Sequence, residues 1–155
     1  MQALPIITLE TANELVNALQ DYLDKSEASF ALVIDRGGAI LSQCGKIPDG
    51  ADMTVLAALA AGSYAATREL ATRVGETDFS ALHQEGHHMQ LLMSAVDDSV
   101  VLVTGFGAQT TLGLVRFYSA RAVPQVAGII EKARAAQRPA EPIFTSADVA
   151  AAFRR

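Results

Sequence analysis

From Leu56 to Ala66 the chain reads LAALAAGSYAA, strong helix formers whose side chains are mostly methyl groups or nothing. A helix this smooth covers little core by itself, so its neighbours must come close. What lies against it decides how the rest of the chain can be arranged.

The break KIPDGADM precedes this helix, which should run from about Ala51 to Val74 and stop at Gly75. Leu56, Leu59, Leu70 and Val74 are its larger apolar residues and mark the stripe expected to sit on a sheet. Ala57, Ala61 and Ala65 recur at i, i+4 and i+8, with Thr54, Ala58, Gly62 and Arg68 beside them. They read as a second face, turned away from the leucines. One account is an exposed helix rich in alanine for propensity alone. Against it, glycine in mid-helix costs about 0.8–1 kcal/mol relative to alanine. Gly62 is therefore expected where another backbone approaches, and a helix from a second copy would fit in an isologous two-fold contact. Tyr64 and Arg68, residue types favoured at interfaces, would frame the patch.

Around this helix the elements follow from periodicity and turn chemistry. TANE has the capping-box pattern, so a first helix starts near Thr8 or Thr11, with Leu9, Ala12, Val16, Leu19 and Leu23 on one stripe. A hairpin follows, with strands Phe30 to Asp35 and Ala39 to Cys44 joined by Arg36-Gly37-Gly38. After the smooth helix, ALHQEGH, MQLLMSAV and SVVLVTGF read as three strands, the last two joined at Asp97-Asp98. LVRFY alone could be a strand, but Leu112, Val115, Ala122, Val126, Ile129 and Ala133 keep helical spacing. Pro124 should kink that helix or mark a restart. Beyond the linker QRPAEP, Thr145 and Asp148 form a capping box, and Phe144 and Val149 a hydrophobic staple. Helices this short are marginal alone, so Phe144, Val149 and Phe153 either fray or dock. Strands joined by short turns imply an antiparallel sheet, and the flanking helices an α+β sandwich covered on both faces.

Composition narrows the function. At 155 residues, half of them hydrophobic, the chain reads as one domain with a substantial core. A mean hydropathy of +0.24 hints at an apolar surface that a partner covers. No apolar run reaches the ~18 residues that span a bilayer, and MQALPIITLE lacks a basic region before its apolar residues. The single cysteine, Cys44, cannot form an internal disulfide, and a cytoplasmic protein without membrane insertion is expected. A net charge of −5 and the lack of Trp argue against nucleic acid.

Catalytic motifs are weak. His83, Glu85 and His87 would share a strand face, but HQEGHH lacks the H-E-x-x-H helix geometry, and a solvated turn is favoured over a metal site. TGFGAQTTLG has glycines before a helix but no P-loop lysine, so it reads as a turn. Cys44 has no histidine beside it, Ser63 lacks a nucleophile elbow, and Asp97 and Asp98 belong to a turn. No catalytic residue, metal or cofactor is expected.

Several segments together are similar to a known family. ALVIDRGGAILSQCG, DMTVLAALAAGSYAATRELATRVGETDF, QEG, SVVLVTGF and TTLGLVRF fall in the order and spacing of the Roadblock/LC7 family of dimeric GTPase regulators. TLGLVR, opening the last long helix, is the most specific, and the likeness runs from about Leu9 to Arg138. It implies an α-β-β-α-β-β-β-α sandwich over residues 1–138, with a linker and tail helix over 139–155, and makes Leu112 to Tyr118 helical. It also implies a homodimer, with two central helices paired on one face and sheets joined through the strand near Leu82 to Gly86. The dimer contact would involve Thr54, Ala58, Ala61, Gly62, Ala65, Leu82, Gln84 and Gly86. The partner implied is a Ras-like small GTPase of the MglA type. It would rest on Ala57, Ala58, Ala61, Gly62, Ala65 and Arg68, with the tail residues Phe144, Val149 and Phe153 near its nucleotide pocket. The activity implied is stimulation of GTP hydrolysis by positioning the GTPase's own groups, together with an effect on nucleotide exchange, in cell polarity or motility. Arg68 and Arg73 are candidates for an arginine finger. The alternative is a non-catalytic dimeric scaffold for a GTPase or another Roadblock protein. Pro124, and the bulk of Tyr64 and Arg68, depart from the family pattern.

Overall fold

FALVI and VVLVTGF are apolar at successive positions, a pattern that suits a strand covered on both faces rather than one. In the computed structural model, which describes residues 4–137 and 146–152, they form the middle of the sheet. The elements run α1 (Leu9–Ser26), β1 (Phe30–Asp35), β2 (Ile40–Gly45), α2 (Met53–Arg73), β3 (Ala81–Glu85), β4 (Gln90–Ala95), β5 (Val100–Phe106), α3 (Leu112–Gln137) and α4 (Ser146–Ala152). The sheet has five strands in the order β2-β1-β5-β4-β3, all antiparallel. This is the α+β sandwich read from the sequence.

Strand alternation divides the core in two. Ala31, Val33, Leu92, Val100, Leu102 and Phe106 point to one face, where α1 and α3 lie. Phe30, Leu32, Ile34, Met93, Val101 and Val103 point to the other, where α2 lies. Register keeps the sets apart: Val33 pairs with Leu102 and Leu32 with Val103. Phe30 faces Gly105, where a Cβ would meet the phenyl ring at 2.1 Å, so the glycine makes room for the ring.

Helix α1 starts at Thr8, whose side chain accepts from the Thr11 N–H at 3.2 Å. Its inward stripe is Leu15, Ala18, Leu19, Tyr22 and Leu23, while Leu9 and Val16 face solvent. Two overlapping runs of 3–4 spacing pass through this helix, and the one carrying Tyr22 buries more surface. Each buried leucine of this stripe contributes about 1.5–3 kcal/mol. The Tyr22 hydroxyl lies 2.8 Å from Thr104 Oγ1, and Ser94 Oγ lies 3.0 Å from Ser119 Oγ. These two buried pairs tie α1 and α3 to the sheet. Pro124 sits inside α3, on its exposed side, and the helix continues through it, so it marks no restart. Asp97 does more than turn the chain: its Oδ2 accepts from Arg134 Nη1 at 2.8 Å and anchors the end of α3.

Candidate functional site

The smooth helix has two apolar sides. Asp52 caps α2, its Oδ1 accepting from the Thr54 and Val55 N–H groups at 2.9 and 3.3 Å. Ala57 and Ala61, 0% and 5% exposed, lie on the sheet with Ala60 and Tyr64. Small side chains on the helix let it settle close over the larger Phe30, Leu32 and Ile34. The outward side carries Val55, Leu59 and Leu70, exposed by 53%, 68% and 57%, with Gly62 and Ala66 between them.

This reverses the expected orientation. Leu59, Leu70 and Val74 do not sit on the sheet, and only Leu56 of that stripe packs against the core. Ala57 and Ala61 belong to the chain's own core and cannot lie on an exposed floor. Tyr64, expected at the rim, is buried. Both sides of the helix have apolar residues at helical spacing, so periodicity did not distinguish them. The sheet's bulky residues decide, because Ala57, Ala60 and Ala61 let the helix come close above them, with Tyr64 packed alongside. Within the chain the close backbone approach is at Gly38, in the β1–β2 turn, where a Cβ would meet the Ala58 Cα at 2.9 Å; one on Gly62 would meet nothing of its own chain within 4 Å.

Each flank of α2 carries a depression. Toward the sheet edge, Val55, Leu56, Leu59, Ala60, Leu91 and Met93 line an apolar groove of about 380 Å³, with Gln84 of β3 at its side. β3 is the end strand, paired to β4 through Ala81↔Ser94 and Glu85↔Gln90, and most of it is exposed. Such an edge offers unpaired backbone groups to another strand. Of the predicted β3 positions, Leu82 packs in the core beneath α2, and Gln84 and Gly86 are exposed. His83 faces the other way, stacked on Phe106 with its Nε2 at 2.7 Å from Gln90 Oε1.

The opposite flank is charged. Arg36, Tyr64, Ala65, Arg68, Thr72 and Thr77 line a cleft of about 280 Å³. Arg68 Nε lies 3.4 Å from Asp78 Oδ2, and Arg73 Nε lies 2.9 Å from Glu69 Oε1. Arg36 Nε and Asp78 Oδ1 are buried without a hydrogen-bond partner among the described residues. An unsatisfied buried donor or acceptor costs about 1–3 kcal/mol, more when charged. The Tyr64 hydroxyl donates to the Phe79 carbonyl at 3.5 Å. Burial, and then the Asp78 carboxylate, push its pKa up to about 12.

The pattern of a Roadblock/LC7 domain matches residues 14–106. The chain belongs to the Roadblock/LC7 family. Among solved structures, an MglB with a tetrameric arrangement is 30% identical, with a TM-score of 0.78 over 86% of this chain and 98% of its own. The gliding protein MglB of Thermus thermophilus is also 30% identical, with a TM-score of 0.77 over 85% and 98%. Myxococcus xanthus MglB, again at 30%, gives 0.76 over 83% and 96%. Among curated proteins none matches.

In this Roadblock domain, Thr54, Ala58, Gly62 and Ala65 are exposed along α2, and Arg68 is half-buried in its ion pair. Phe144, Phe153 and the side chain of Val149 lie outside the described residues. Sequence reasoning missed Arg36, Asp78 and the outward role of Val55, Leu59 and Leu70. The signal for the leucines was present: a helix apolar on all sides is covered on all sides. Arg36 carried no signal beyond its place in a hairpin turn.

Proposed function

We propose that the chain is a homodimeric regulator of a Ras-like small GTPase of the MglA type, stimulating GTP hydrolysis while having no active site of its own. The observation that carries this reading is the exposed stripe Val55, Leu59 and Leu70 on a helix already buried on its other side. An apolar stripe of this kind marks a protein interface. Two copies related by a two-fold axis would join β3 to β3, extending the sheet, and set their α2 helices side by side. Gly62, Leu82, Gln84 and Gly86 then lie at or near the seam, whereas Thr54, Ala58 and Ala65 face the flank of the Gly38 turn and the charged cleft. The paired helices form the surface on which the GTPase rests. The 30% identical relatives carry the name MglB, one of them as a gliding protein, which supports motility as the setting.

Both candidate finger arginines are engaged within the chain, Arg68 with Asp78 and Arg73 with Glu69. That favours positioning of the GTPase's own groups over insertion of a charge. We assign residues 139–155 to a linker and a tail helix that contacts the GTPase, so deletion from Arg138 onward should alter nucleotide exchange more than dimerisation. Single-turnover GTP hydrolysis with the GTPase, alone and with the dimer, tests the whole reading. Acceleration is expected; tight binding with an unchanged rate would select the scaffold, and no binding would remove the proposal.

A further inference from the structure

The two flanks of α2 differ in chemistry. The apolar groove adjoins the β3 edge, where the second copy is placed, whereas the charged cleft lies on the other side of the helix, beside β1 and β5 through Arg36 and Val101. A partner other than the second copy therefore has access to the cleft. Its charges can be accounted for one by one. Arg68 pairs with Asp78 and Arg73 with Glu69, and Asp35 turns back on its own hairpin to accept from the Ala39 N–H at 2.7 Å. Arg36 is left over, with a buried Nε that has no acceptor among the described residues.

From this we infer that the cleft receives one carboxylate, an Asp or Glu side chain of the docked GTPase, held by the Arg36 guanidinium with Thr72 and Thr77 beside it. A planar carboxylate matches the fork of a guanidinium, and of the two arginines lining the cleft Arg36 is the one without an ion pair among the described residues. A phosphate dianion would bring a second negative charge toward Asp78 and Glu69, with nothing left to meet it. The inference rests on the docking reading above and adds the chemistry of one contact to it.

Calorimetry with the GTPase loaded with a non-hydrolysable GTP analogue tests it, using the full chain and Arg36→Ala at low and high salt. The alanine variant should bind about ten-fold more weakly, and its affinity should fall less with salt, because a charge-assisted contact has gone. Its dimerisation should be unchanged. Arg36→Gln keeps a donor and most of the stem; it carries the same expectation should the alanine form unfold. Equal binding by wild type and variant overturns the inference and leaves the docking reading standing. Loss of the dimer instead assigns the cleft to the second copy, which also overturns it. A wild-type chain that binds no GTPase removes the docking reading, and this inference with it.

Discussion

Gly38 and Ala58 meet backbone to backbone: a Cβ on Gly38 would stand 2.9 Å from the Ala58 Cα and 3.3 Å from its N. The β1–β2 turn is thereby pressed onto α2, which accounts for part of the helix's smoothness. Gly38 also has φ +91°, a backbone conformation strained for L side chains. Gly38→Ala should therefore destabilise the fold by at least about 2 kcal/mol, from strain and overlap together. Urea unfolding followed by circular dichroism measures it, and a loss below half that figure would mean the turn can lift off the helix.

The two faces of α2 predict opposite outcomes for two charged substitutions. Ala61→Arg places a cation against Val101 and Leu32 in the core and should leave little folded protein, visible as a lost thermal transition. Leu59→Glu alters a residue 68% exposed, and within one subunit should cost no more than about 0.5 kcal/mol. At the dimer seam it should nonetheless convert dimer to monomer in sedimentation at micromolar concentration. A folded dimer carrying Leu59→Glu would place the seam elsewhere.

The sheet was legible because strands and turns announce themselves locally. FALVIDRGGAIL and the Asp97-Asp98 turn fixed the hairpins to within a residue or two, and the buried middle strands follow from their unbroken apolar runs. Helix phase was less legible. In α1 and α2 two apolar stripes overlap, and the choice between them depends on the bulk of residues far away in sequence, such as Phe30 and Ile34 beneath Ala57 and Ala61. The charged cleft was not legible at all, since Arg36, Arg68 and Asp78 come from a turn, a helix and a loop that only the fold brings together.

Gly62 separates the stability of the subunit from that of the dimer. Nothing stands within 4 Å of a Cβ added there. Gly62→Ala should raise subunit stability by about 0.8–1 kcal/mol through helix propensity. If the paired α2 helices approach closely at this point, the same methyl group should weaken dimerisation. The expected result is an unfolding midpoint that rises under monomeric conditions while the dimer dissociation constant increases. A tighter or unchanged dimer would mean that the helices do not meet at Gly62.

Two buried tyrosines set an alkaline limit. Burial raises the Tyr22 hydroxyl pKa, and burial with the nearby Asp78 raises that of Tyr64 to about 12, from the ordinary tyrosine value of 10.0. Well below pH 10 both are protonated whether folded or unfolded, and neither makes stability depend on pH. Above it the unfolded chain loses these protons first, so stability should fall as pH rises from about 10 to about 12. Tyr64→Phe should flatten that fall, as read from urea midpoints across the range. An equally steep decline in the variant would place the titration on other groups.

The arginines decide how hydrolysis would be stimulated. An arginine finger contributes about 10³–10⁵ in rate, so removing one should nearly abolish stimulation. Arg68 is held by Asp78 at 3.4 Å and is only about one-third exposed, its side chain at 32%. Arg73 is more open, its side chain 77% exposed, yet it lies on the last turn of α2 beside Glu69. Neither stands on an extended loop that could reach a nucleotide bound in another protein. Arg68→Ala and Arg73→Ala should therefore each keep stimulated single-turnover hydrolysis within about ten-fold of wild type, a deficit of at most about 1.4 kcal/mol. A collapse of the rate with binding intact would identify the altered residue as the finger and displace positioning as the mechanism.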